Sequence, residues 1–158
     1  MPSNHRRRKK VAEKPRLAAA ILCERVLLEK DEVLSVIRLI DTFYVHVPKE
    51  LPEGANPIIQ LTTLLSFKRG DEPDDSTHQV KLKIQAPSGP VKDLPVMVDF
   101  FFKPGEIASA NLILNIGLGI KEFGRFRLDV FVDDEGPIAQ IPFMLLEQPE
   151  QKIAEMSH

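Results

Sequence analysis

Few residues in this chain are of types that do chemistry, and their spacing suits little of it. The single thiol is Cys23, and the four histidines are His5, His46, His78 and His158. A thiol–imidazole nucleophile would need Cys23 beside His46, which neighbouring strands could allow. Such a thiol also needs an exposed, electropositive setting that lowers its pKa. Cys23 instead follows the apolar run Leu17 to Leu22. Apolar neighbours raise a thiol's pKa, so a small core residue is the expectation. No two histidines have metal-ligand spacing on a helix or beside the cysteine, and no zinc site is expected. Two acidic clusters remain, Asp71 to Asp75 and Asp133 to Glu135. Their oxygens could gather calcium if both loops met at one end of the fold. The plainer expectation is two solvated turns whose charge discourages aggregation. There is no Gly-X-Ser-X-Gly elbow, phosphate-cradling glycine loop or dinucleotide fingerprint. The expectation is therefore a protein that is not an enzyme, with no cofactor, no metal and no small-molecule substrate.

The remaining chemistry is electrostatic. Residues 1–16 hold seven basic side chains against Glu13, a net charge of +6. The rest of the chain has 14 basic and 22 acidic residues, a net charge of −8, so the near-neutral total of −2 hides a basic tail on an acidic body. The tail lacks hydrophobic periodicity and is expected to be disordered. Arg6, Arg7, Arg8, Lys9 and Lys10 are its candidate anion-binding residues, because clustered cations gain from counterion release on nucleic acid. No aromatic residue is interleaved for base stacking. A solubilising extension is the competing expectation.

The rest of the chain alternates with period two, the pattern of strands with one buried face. Gly124 to Leu146 shows it best. Phe126, Leu128, Val130 and Val132 share one parity, and Ala139, Ile141, Phe143 and Leu145 share another. A tight turn at Glu135-Gly136 would pair Val132 with Ala139, Val130 with Ile141, Leu128 with Phe143 and Phe126 with Leu145. Alternation also marks strands over Ile59 to Lys68, Val80 to Ala86, Leu94 to Phe102 and Ala108 to Leu118. Leu17 to Leu28 and Val33 to Val47 fit a helix or a strand; Thr42, Val45 and Val47 tip them to strand, with a turn at Lys30-Asp31. Pro48 to Asn56 is a loop. The sum is one all-β domain, an antiparallel β-sandwich of about eight strands over 17–147, between the basic tail and a flexible C-terminal tail over 148–158.

Ala20-Ile-Leu-Cys-Glu-Arg-Val-Leu, Ser35-Val-Ile-Arg-Leu-Ile-Asp41 and Gly124-Arg-Phe-Arg-Leu-Asp-Val together resemble a family of small bacterial proteins of unknown function. Its members open with a Cys-Asp/Glu-Arg-Val strand. They close with a Gly-X-Tyr/Phe-X-Phe-X-Val strand and a return strand. The resemblance covers roughly Leu17 to Glu147 and implies an all-β sandwich. It carries over no catalytic residue.

Parity places Met97, Phe101, Phe131, Met144 and Leu146 on outward faces. Clustered, they would form a partner or dimer face. The leading expectation is a non-catalytic interaction or accessory module that binds a protein partner or itself through a sheet face or edge. The alternative is a nucleic-acid-associated protein that uses the basic tail. A carbohydrate or small-ligand binder is a third class, disfavoured by the absence of Trp and the single Tyr44. No apolar run approaches the roughly 18 residues that span a bilayer. With one cysteine and no signal-like segment, the expected location is the cytoplasm.

Overall fold

The alternating segments become nine strands and no helix in a computed structural model that describes residues 13–70, 76–103 and 109–149. The strands are β1 (Arg16–Leu28), β2 (Leu34–Leu39), β3 (Thr42–Val45), β4 (Ile58–Lys68), β5 (His78–Gln85), β6 (Lys92–Phe100), β7 (Ser109–Gly119), β8 (Gly124–Val132) and β9 (Glu135–Glu147). They form a four-stranded sheet, β2-β1-β4-β7, and a five-stranded sheet, β3-β9-β8-β5-β6. The expected β-sandwich is therefore present. Its tail residues 1–12 and 150–158 lie outside the described residues.

Three details differ from the sequence reading. There are nine strands, because Val33 to Val47 breaks at Ile40-Asp41 and its two halves join different sheets. Arg38, just before the break, adopts a left-handed φ of 48°. One pairing is parallel: β3 runs beside β9, with Thr42 opposite Met144 and Val45 opposite Glu147. The chain reaches this edge by crossing over from the other sheet, and a crossover permits a parallel approach that a tight hairpin forbids.

The third difference is the register of the last hairpin. Its turn is Asp133-Asp134, not Glu135-Gly136, and both aspartates have positive φ, 51° and 62°. Aspartate tolerates that region, so a two-residue hairpin needs no glycine there. Val130 consequently pairs with Ala139, Leu128 with Ile141 and Phe126 with Phe143, a shift of two residues from the expected register. A shift of two preserves parity, so the same side chains point inward. An irregularity between Val130 and Val132 absorbs the remaining mismatch.

Those inward faces make one core. Leu61, Leu65 and Phe67 from β4 meet Val80 and Leu82 from β5, Leu128 and Val130 from β8, and Leu145 from β9. The Phe67 ring stacks on Phe100 of the opposite sheet at 4.6 Å. Phe102 meets Phe100 edge-on, and Phe43 and Phe126 both contact Phe143. Burying each such side chain contributes about 1.5–3 kcal/mol. Thr63 is the polar exception on the inward face of β4. It is fully buried, and its hydroxyl has no hydrogen-bond partner among the described residues. An unmet buried hydroxyl costs free energy that an isosteric methyl avoids. Thr63→Val should therefore raise stability by about 1 kcal/mol in urea unfolding, whereas Thr63→Ser, which keeps the hydroxyl and loses a methyl, should lower it.

Candidate functional site

The outer face of the five-stranded sheet brings a set of charged side chains together with several outward apolar residues. Its alternation places Lys81 and Lys83 of β5 between Arg127, Asp129 and Phe131 of β8 and Asp93 and Met97 of β6. Asp129 is only 2% exposed, although it lies on the outward parity. Arg127 explains this: its Nε and Nη2 donate to the two carboxylate oxygens at 2.7 and 2.9 Å. These hydrogen bonds push the Arg127 pKa further up and hold the guanidinium charged. Lys83 lies opposite Asp129 on β5, reaches Asp93 at 3.4 Å and places its ammonium 4.9 Å from the centre of the Phe131 ring. Lys81 pairs with Asp134 of the hairpin turn.

Between these side chains runs an open groove of about 660 Å³, lined by Lys81, Lys83, Asp93, Met97, Phe131 and Asp134 among others. Phe131, Lys81 and Met97 are opposed in register across β8, β5 and β6. Ile138 extends the row onto β9, in the irregular stretch beside Phe131, and is 41% exposed. The sequence reading missed Ile138, although its parity, opposite to Ala139 and Ile141, placed it outward.

The five apolar residues expected to form one face divide into separate groups. Met97, 64% exposed, and the half-buried Phe131 share the groove. Phe101 is 58% exposed but lies beyond the end of β6, four residues from Met97, or about 13 Å along an extended chain. Met144 and Leu146 flank β3, opposite Thr42 and Tyr44. Met144 is registered with Arg125, six residues and about 20 Å from Phe131 along β8. The physical reason is the two-residue register shift together with the length of the strands. Shared parity puts side chains on one face without making them neighbours.

The nucleophile pair does not assemble. Cys23 lies on β1 of the four-stranded sheet, and His46 follows β3 of the other. Cys23 is 2% exposed, with its thiol 3.8 Å from the Thr62 carbonyl oxygen. Burial pushes the thiol pKa up from the usual 9.0. Among the candidate calcium ligands, Asp71 to Asp75 lie outside the described residues. Asp133 binds His78 and Gln79, Asp134 binds Lys81, and Glu135 is joined to Lys14. No group of three metal-capable side chains occurs among the described residues. Arg6, Arg7, Arg8, Lys9 and Lys10 also lie outside them.

The sequence reading gave His78 no role. The side chain is buried on the inward parity of Val80, Leu82 and Ile84, with its ring tilted over Phe100. Its Nδ1 lies 2.7 Å from Asp133 Oδ2, and Asp133 Oδ1 accepts the Gln79 backbone N–H at 2.9 Å. The pair clips the β8–β9 turn to the start of β5. No helix among the described residues is long and apolar enough to cross a membrane. Comparison with protein-family models and with curated proteins gives no match.

Asp133→Ala should cost about 2–4 kcal/mol in urea unfolding, since it removes the hydrogen bonds to His78 and Gln79 and puts alanine at positive φ. Asp134→Gly should cost less than about 1 kcal/mol, because the exposed pair with Lys81 is weak and glycine relieves the left-handed turn. Iodoacetamide at pH 8 should alkylate Cys23 in the native protein at least about tenfold more slowly than in urea. Stability owed to the neutral thiol should persist below its ordinary value and fall as pH rises through the raised one.

Proposed function

We propose that this protein is a cytoplasmic, non-catalytic interaction module that binds a protein partner through the outer face of its five-stranded sheet. The observation that carries the reading is the row Ile138, Phe131, Lys81 and Met97, which lines a groove with exposed apolar side chains between charged ones. An apolar centre with a charged rim is the usual anatomy of a protein–protein contact. Met97 and Phe131 are the anchor residues in this reading, and Lys81, Asp93 and Asp134 supply the polar rim. The titratable groups support a non-catalytic role: Asp129 is bound by Arg127, His78 is buried against Asp133, and Cys23 is enclosed. Each of them serves the fold.

The test is capture by immobilised full-length protein, with nuclease present, and by three variants. Met97→Glu and Phe131→Glu should each weaken retention of the captured partner at least about tenfold, with melting temperature unchanged, because anchor residues dominate interface energetics. Replacing Arg6, Arg7, Arg8, Lys9 and Lys10 together by alanine should leave retention intact. If that tail variant loses the partner and nuclease abolishes capture, the reading fails and nucleic-acid binding through the tail replaces it, with the steep salt dependence that phosphate contacts produce.

A further inference from the structure

Four strands end the two sheets, and they are not equally protected. β3 is only four residues long. β2 has six residues, and Arg38 near its end is twisted to a left-handed φ. β6 carries Pro95 within the strand, together with Lys92, Asp93 and Asp99, and its pairing to β5 is irregular near Lys81. Short length, proline, charge and bulges are the devices that keep an edge from pairing with another chain. β7 has none of them. Ser109–Gly119 is eleven residues long, with no charge and no proline, and it pairs with β4 without any irregularity.

The direction of the β7 hydrogen-bonding groups that no described strand pairs follows from one contact. The Ile120 N–H donates to the Pro57 carbonyl, in line with the β4–β7 register. Peptide groups two residues apart point the same way along a strand, so Leu118, Ile116, Leu114, Leu112 and Ala110 also bond to β4. The opposite set, Ser109, Asn111, Ile113, Asn115, Gly117 and Gly119, presents its N–H and C=O groups to the open edge.

We propose that this edge pairs with the β7 edge of a second copy, antiparallel about a two-fold axis, to make a continuous eight-stranded sheet. The strand is complementary to itself. Full overlap puts the axis at Leu114, with Ile113 opposite the partner's Asn115, Asn111 opposite its Gly117 and Ser109 opposite its Gly119. All six edge-facing residues of each strand then enter hydrogen-bonded pairs, which gives on the order of a dozen backbone bonds. No like charges meet. On the inner face, Leu112 meets Ile116 and Leu114 meets Leu114, apolar cross-strand pairs that favour association. On the outer face, Ile113 is 42% exposed and lies beside Leu64, which pairs with Ile21 on β1. Association would cover Ile113 and join the two apolar rows across the axis. A second copy is preferred over an unrelated strand because every position of β7 finds a compatible partner in β7 itself. The inference rests on reading the sandwich as an interaction module, but it uses a surface on the other sheet from the Met97–Phe131 groove.

Sedimentation of the full chain from about 1 µM to 1 mM tests it, since an edge contact of this size is expected to associate in the micromolar range. The expected result is a concentration-dependent dimer. Amide exchange at Ile113, Asn115 and Gly117 should slow as concentration rises, whereas exchange at Leu114 and Ile116, already bonded to β4, should not change. Asn115→Pro removes an N–H that points away from β4, a site where an edge strand accepts proline. Ile113→Lys places a charge beside the axis. Each should weaken dimerisation at least tenfold at unchanged melting temperature, and the second serves if the first perturbs folding. A monomer at 1 mM overturns the proposal, as does a dimer indifferent to both variants. Met97→Glu should leave the dimer intact. If it dissociates the dimer instead, the edge proposal falls and the groove is the self-contact; loss of partner capture with the dimer retained would be a failure of neither.

Discussion

Closure of the two sheets over a single apolar layer is the constraint on which everything else depends. Phe67 reaches from β4 onto Phe100 of β6, and Leu61, Leu65, Leu82, Leu128 and Leu145 fill the space around that stack. A strand has only two faces, and this layer takes one face of every central strand. What is left for recognition is the other face of each sheet and whatever edges remain unpaired. Among the described residues, recognition is therefore left to flat, open surface such as the Met97–Phe131 groove.

The charged residues on that surface are bound largely to one another. Arg127 encloses Asp129, Lys83 bridges Asp93 and the Phe131 ring, and Lys81 takes Asp134. Exposed pairs of this kind contribute little stability individually. Their effect is geometric: they hold long side chains down along the sheet and leave Met97, Phe131 and Ile138 standing between them. His78 is likewise held by Asp133, and that pairing fastens a turn. The edge of β7, which no described strand pairs, contrasts with this surface, because the strand carries neither a charge nor a proline.

Most of the fold was legible because alternation is a local property. Val80, Leu82 and Ile84, or Leu128 and Val130, declare their face through their immediate neighbours, and each of them is buried. The hairpin turn was misplaced because glycine is the stronger local signal, while the choice of Asp133-Asp134 depends on His78 and Gln79, more than fifty residues away. The break at Ile40-Asp41 was hidden for a similar reason, since β-branched residues continue through it and only the sheet that receives β3 shows where the chain crosses.

The sequence by itself determined the class of structure, the inward and outward parity of the strands from Ile58 onward, the burial of Cys23 and the outward placement of Met97 and Phe101. Side-chain period and apolar content suffice for those, because both act over a few residues. The tertiary structure alone decided which strands are neighbours, that Met97 and Phe131 share a groove while Met144 and Leu146 lie apart, that Asp129 is enclosed on an outer face, and that β7 ends its sheet. Those are pairings between residues distant in the chain. They are set by which faces close on one another and by the register in which they do so, and no local pattern carries that information.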